Sequence, residues 1–157
     1  MMESLNRPWS LLRKVWVIGI DRVGAAVRAP QVPVRGAPLE PFAKRLGELI
    51  RRFGGEVDRA LIRHREQILD RQYVQERLAR AAMELFASAC VLSRWEAELL
   101  APPGSSSEPG WHSAAEYFLR GSFRRIRRSL AEMNDADDAV VTATADWMLT
   151  HKGEIVK

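Results

Sequence analysis

The stretch from Gln72 to Leu100, QYVQERLARAAMELFASACVLSRWEAELL, most constrains what this chain can fold into. Its apolar residues recur at helical spacing through Val74, Leu78, Ala82, Leu85, Ala89, Leu92 and Leu99, so it reads as one long helix. Small residues at Ala79, Ala81, Ala87 and Ser88 would let a neighbouring helix approach closely. Cys90 is the single cysteine, so no disulfide framework exists. Its neighbours Ala89, Val91 and Leu92 suggest a buried structural thiol, since reactive cysteines need a partly exposed, electropositive setting.

The rest of the chain also reads as helical. Residues 8–29 form a first segment with Pro8 at a position suited to a helix start. Trp9, Leu12, Trp16, Ile20, Val23 and Val27 share one face, with Ser10, Lys14, Asp21 and Arg28 opposite. Leu11 and Ile18 make the polar face imperfect. Pro30, Pro33, Pro38 and Pro41 then rule out a continuous helix and predict an extended linker that separates this segment from the body. From Phe42 to Leu69 a second period runs through Leu46, Leu49, Phe53, Val57, Leu61, His64 and Ile68, interrupted by Gly54-Gly55, which suits a kink or close packing. Asp70 is placed to cap the long helix.

Ala101–Gly110 reads as a loop. A further helix covers Trp111 to Met133, with Ala115, Phe118, Leu119, Phe123, Ile126 and Leu130 on one face and its arginines on the other. Asn134 reads as the N-cap of a last helix, followed by Asp135, Asp137 and Asp138 where the helix dipole favours negative charge. That helix carries Val140, Val141, Thr144, Trp147 and Met148, with His151 and Lys152 in its last turn and Gly153 as the stop. The expected fold is all-α: a bundle of about four helices plus a detached N-terminal amphipathic helix. Residues 1–36 form the basic amphipathic segment with the start of the linker, and residues 37–157 the helical module.

A length of 157 residues suits one domain, and 46% apolar residues suffice for a core. The net charge of +4 is unevenly spread: residues 110–131 carry five arginines against one acid, and residues 1–36 carry six basic side chains against two acidic ones, whereas residues 37–109 balance. Val15 to Ile20 is the longest uncharged run near the start, well short of the ~20 residues a membrane span requires. Arg13, Lys14, Asp21 and Arg22 bracket that run, so it is not expected to act as a signal peptide.

Catalytic patterns do not appear. His64, His112 and His151 lie far apart, with no CxxC or HExxH motif to hold a metal. Cys90 and Ser93 fall mid-helix without a nucleophile elbow, and no glycine-rich loop cradles a phosphate. His64 sits on an apolar stripe as a packing histidine. The aspartates at 135, 137 and 138 read as a helix-start charge cluster rather than a metal site. Arg120, Arg124, Arg125, Arg127 and Arg128 invite a nucleic-acid reading, but no RNP, helix-turn-helix or zinc-finger pattern accompanies them, and no aromatics interleave on that face. A solvated face, or a docking face for acidic partner helices, is the better account.

The long helix and its lead-in carry a pattern more specific than amphipathicity: His64, Ile68, Gln72, Arg77-Leu78-Ala79, Ala82, Leu85-Phe86-Ala87 and Val91-Leu92-Ser93-Arg94. This resembles the late helical region of the acyl-CoA dehydrogenases, most nearly the very-long-chain, membrane-associated type and its respiratory complex I assembly paralogue. The resemblance is strongest over Phe42–Leu100, weaker from Trp111 to Gly153, and one of character only over residues 1–36, where those enzymes carry a basic membrane-associating insertion.

The resemblance implies a family of FAD-dependent oxidoreductases of fatty-acid β-oxidation. The family's catalytic glutamate precedes the matched region, and its flavin-contacting segments have no counterpart here. No catalytic, cofactor-binding or metal-binding residue is therefore assigned, and no cofactor is expected in this chain alone. The expected role is a non-catalytic helical module for scaffolding, oligomer contact and membrane association. Its partners would be a second copy or the missing dehydrogenase domains, with Arg120, Arg124, Arg127 and Arg128 at the contact. An anionic membrane surface would meet Trp9, Leu12, Arg13, Lys14, Trp16, Ile20, Arg22 and Val23, since indoles favour the headgroup boundary and basic residues attract anionic lipid. The chain would then be cytoplasmic or matrix-side and peripherally membrane-associated. The alternatives are the C-terminal subunit of a split dehydrogenase and, from another class, a basic helical adaptor for nucleic acid. The Met1-Met2 start fits a split gene, a gene remnant or an independent module alike.

Overall fold

The computed structural model describes residues 30–102, 110–134 and 137–151. The expected N-terminal amphipathic helix, with all its membrane-contact residues from Trp9 to Val23, lies outside the described residues, as do Asp135, Lys152 and Gly153. The fold is an all-α bundle. Its helices are α1 (Glu40–His64), α2 (Gln72–Leu99), α3 (Trp111–Ala131) and α4 (Asp138–Thr150). Among the described residues no strand occurs.

Each boundary has a local cause. A 3-10 turn over Ala37–Leu39 feeds α1, whose first turn holds Pro41, where a missing N–H costs nothing. The α1 helix ends at His64, short of the expected Leu69, because Arg65 adopts a φ of 47° that no helix can continue. Residues Arg65–Asp70 then form a 3-10 turn, and Arg71, rather than Asp70, occupies the N-cap of α2. Asp70 falls one residue too early to cap. Gln75 instead donates to the carbonyls of Ile68 and Leu69 at 2.6 and 2.9 Å, which ties the turn to the helix. Gly110 precedes α3 at a φ of 91°, a conformation that glycine reaches without strain.

Phe42 meets Trp95 at one end of α1 and α2, with ring centroids 5.5 Å apart, and Ala60 meets Val74 at the other, so the two helices run antiparallel. Trp95 stacks on His112, and Ser88 bonds Ser122, so α3 returns antiparallel to α2. The core joins Leu39, Leu46 and Leu49 to Leu85, Leu92 and Trp95 and to Leu119, Phe123, Ile126 and Leu130. The expected inner face of α3 is therefore the observed one, with Phe118 partly buried at its margin. A smaller cluster of Ala60, Val74 and Met133 closes the far end.

The buried side of α2 differs from expectation. Val74, Ala81, Leu85, Ser88, Leu92 and Trp95 are buried, while Ala82, Ala89 and Leu99 are exposed. The spacing is that of a heptad seam, alternating four and three residues through Leu78. Small Ala81 and Ser88 occupy the seam because α3 approaches there, with Gly121 and Ser122 buried. The same rotation turns Cys90 outward: the thiol is exposed, not a buried structural one. On α1, Ala60 is buried where Leu61 was expected, and Leu61 is exposed.

Two further expectations change. The part of the linker from Pro30 to Gly36 is not separate from the body. Val32 and Val34 pack on the core, the Arg35 N–H donates to Glu96 Oε1 at 2.5 Å, and a Cβ on Gly47 would lie 2.3 Å from the Pro30 carbonyl oxygen. Nor is Asn134 the N-cap of α4. The turn Glu132–Asn134 continues out of α3, burying Met133, and α4 begins only after Asp137.

Candidate functional site

No residue of α4 is buried. Val140, Val141, Trp147, Met148 and Leu149 are all at least half exposed on it. Arg77 of α2 holds its start through a two-pronged ion pair with Asp138, at 2.8 and 2.5 Å. Arg77 belongs to the sequence pattern of the long helix, and its task here is to tether α4. Trp147 stacks on His151 at 4.8 Å.

A second uncovered surface runs along the outer side of α2. Met83 and Phe86 are 65% and 73% exposed, among exposed Ala79, Ala82, Ala89, Cys90 and Ser93. The charged residues of α2 lie off this strip. Arg80 pairs with Glu76 at 2.5 Å, and Glu84 reaches Arg125 of α3. The strip is charge-free and lies opposite a well-filled inner seam.

The arginines of α3 divide by partner. All five are exposed. Arg120 pairs with Glu116 at 2.7 Å, and Arg128 pairs with Glu132 at 2.7 Å. Arg125 grips Glu84 of α2 with two bonds, Nε to Oε1 at 2.5 Å and Nη2 to Oε2 at 3.0 Å. That bond is the chief reason the Glu84 carboxyl is held below the ordinary carboxylate range, against the opposing effect of burial. Arg124 and Arg127 have no ion pair among the described residues. Arg127 faces α1 across a cleft whose other wall carries Arg45, Arg51, Arg52 and Arg59. The sequence reading missed these α1 arginines, because residues 37–109 balance in total charge. The seven-residue spacing of Arg45, Arg52 and Arg59 was the available signal.

The three histidines lie apart, as their spacing implied. His64 is partly buried at the end of α1, His112 stacks on Trp95, and His151 on Trp147. Among the described residues no group of His, Cys, Asp or Glu is arranged to hold a metal ion. No helix among them is long and apolar enough to cross a membrane.

The family model described as ACAD9/ACADV, C-terminal domain, matches residues 37–149. The chain belongs to that family. No curated protein and no solved structure matches it. The match spans α1 to α4, so the helical region is that of the C-terminal part of very-long-chain-type acyl-CoA dehydrogenases. FAD, the cofactor of those dehydrogenases, needs an enclosed slot for its ring system. The described part of this C-terminal domain does not fit it. Among the described residues, the cleft at His64, Asp70 and Thr142 and the cleft at Arg45, Gly55 and Arg127 are open ones, not an enclosed slot for a ring system.

Proposed function

We propose that this chain is a non-catalytic helical module of very-long-chain-type acyl-CoA dehydrogenase architecture, which works by docking. Its occupants are the flavin-bearing domains of such an enzyme or a second copy of itself. Residues 1–29 carry it to an anionic membrane surface. The observation that supports this reading best is the pair of uncovered apolar surfaces, on the outer strip of α2 and on α4, in a chain whose inner seam is already full. Exposed apolar area of this kind is retained where a partner covers it.

The purified chain is expected to be colourless and unable to reduce an electron acceptor with palmitoyl-CoA. A bound flavin spectrum with turnover would overturn that. Sedimentation of the chain, alone and mixed with a dehydrogenase lacking its C-terminal domain, tests docking. Association should weaken in Phe86→Glu without loss of thermal stability, because Phe86 is 73% exposed. A chain that stays monomeric and ignores the dehydrogenase at every concentration would defeat the proposal. Flotation with anionic and neutral vesicles tests the membrane role. Binding to anionic vesicles should vanish on deleting residues 1–29 and weaken in Trp16→Glu. Equal flotation of the deletion variant would remove the N-terminal segment from the account.

A further inference from the structure

The cleft between α1 and α3 is a strongly basic surface, separate from the exposed apolar strip of α2 and from α4. Five arginines line it against two acids, Glu48 and Asp58, in a volume of about 610 Å³. Arg45, Arg52 and Arg59 sit seven residues apart and so occupy one flank of α1, two turns from each other. Arg120 lies over Phe42, and Arg127 shares the cleft with Leu49, so α3 advances alongside α1 in the same direction and keeps its arginines on that flank.

Two of the five guanidiniums are engaged among the described residues. Arg45 bonds Glu48 at 2.7 Å, and Arg59 bonds the buried Glu56 at 2.8 Å. Arg51, Arg52 and Arg127 have no ion pair among the described residues. Like charges held close repel, and solvation alone would answer for that if the wall were otherwise ordinary.

The wall is not ordinary. Gly54 and Gly55 lie inside α1, where each glycine costs about 1 kcal/mol of helix stability relative to alanine. Close packing of a neighbouring helix would justify them, but among the described residues none is near. Among the described residues, a Cβ at Gly54 would meet nothing within 4 Å, and one at Gly55 only the Arg59 guanidinium of its own helix, at 3.7 Å. Gly55 lines the cleft. Its missing side chain bares the helix backbone between the arginines and leaves room for a ligand to come close.

We propose that this cleft binds a phosphate-bearing anion, gripped by Arg51, Arg52 and Arg127 over the bare surface at Gly55. Guanidinium forks match phosphate oxygens in pairs, and three unengaged forks facing one opening suit a phosphomonoester or a diphosphate. The phosphate comes from a free metabolite or from a lipid headgroup.

The test uses the full chain and inorganic pyrophosphate, with titration calorimetry and thermal unfolding at matched ionic strength. Pyrophosphate should bind and raise the melting temperature, while chloride should not. Arg52→Gln with Arg127→Gln should lose at least about tenfold in affinity, and Arg128→Gln, whose guanidinium is held by Glu132 outside the cleft, should lose little. Gly55→Leu separates binding from folding. It should raise the melting temperature of the free chain, through helix propensity, and abolish the pyrophosphate response. A response kept in Gly55→Leu, or equal effects of pyrophosphate and chloride on the parent chain, would overturn the site. Flotation on vesicles containing phosphatidic acid distinguishes the source. Loss of flotation in the Arg52/Arg127 variant, with competition by pyrophosphate, assigns a lipid phosphate. Unchanged flotation beside intact pyrophosphate binding assigns a free one. No binding in either arm refutes the proposal.

Discussion

The hydroxyl oxygens of Ser88 and Ser122 lie 2.7 Å apart, with both residues fully buried between α2 and α3. Two serines bonded to each other occupy little volume and leave no unpaired hydroxyl, so the two backbones can approach closely. Ser122 also reaches the Glu84 carbonyl at 3.2 Å, which keeps it satisfied if Ser88 is removed. Ser88→Ala should therefore cost only about 0.5–1.5 kcal/mol. Ser122→Leu should cost about 1–3 kcal/mol or more, by forcing the helices apart. Denaturant unfolding of both variants checks the order, and an equal cost would mean that the contact is loose.

Leu119 is completely buried at the centre of the core. Leu119→Ala should destabilise the chain by about 2–5 kcal/mol, and Leu85→Ala, 8% exposed in the inner seam, should fall in the same range. Phe86→Ala, one residue further on but outside the seam, should change stability by less than about 0.5 kcal/mol in the isolated chain. A large loss at Phe86 would show that the outer strip of α2 is covered in solution.

The Arg125–Glu84 pair makes stability depend on pH. The Glu84 carboxyl is held below its ordinary range mainly by the Arg125 hydrogen bond. A depressed carboxylate contributes its stability above the unfolded-state pKa and loses it as pH falls through the folded-state value. The denaturation midpoint should thus fall on acidification below the ordinary carboxylate range. Glu84→Gln should make that fall shallower. Parallel acid limbs for the two proteins would contradict the assignment.

Gly47→Ala improves helix propensity yet places a Cβ against the Pro30 carbonyl, at 2.3 Å. Residues 30–36 should lift from α1 and become cleavable by protease while the bundle stays folded. Unchanged protection of that segment would mean the linker finds another path over α1.

Arg77→Ala removes the two-pronged bond to Asp138 that holds the start of α4. Amide exchange across residues 138–150 should accelerate with little change in α1 to α3, because no residue of α4 is buried in the core. Uniform acceleration across the chain would show instead that α4 supports the whole bundle.

Much of the fold is legible one segment at a time. Proline placement and helical periodicity locate the helices. The alternation of Leu119, Phe123, Ile126 and Leu130 with arginines identifies the inner face of α3, because large apolar residues cannot be mistaken for solvated ones. The pattern running from His64 to Arg94 points to the family, since its residues are contiguous along the chain. The exits of α1 and α3 are less legible, because a φ of 47° at Arg65 and the buried turn at Met133 answer to packing rather than to capping residues.

The sequence by itself determined the helical class, the family and the apolar face of α3. Only the tertiary structure decided which side of α2 turns inward, that Cys90 is exposed, and that arginines of α1 and α3 share one cleft. The physical reason lies in the residues concerned. Alanine, serine and cysteine gain too little from burial to choose a side of a helix themselves, so the partner that comes closest chooses for them. In the same way, the seventy-four residues between Arg52 and Arg127 make their proximity a property of how the helices pack, which no local pattern contains.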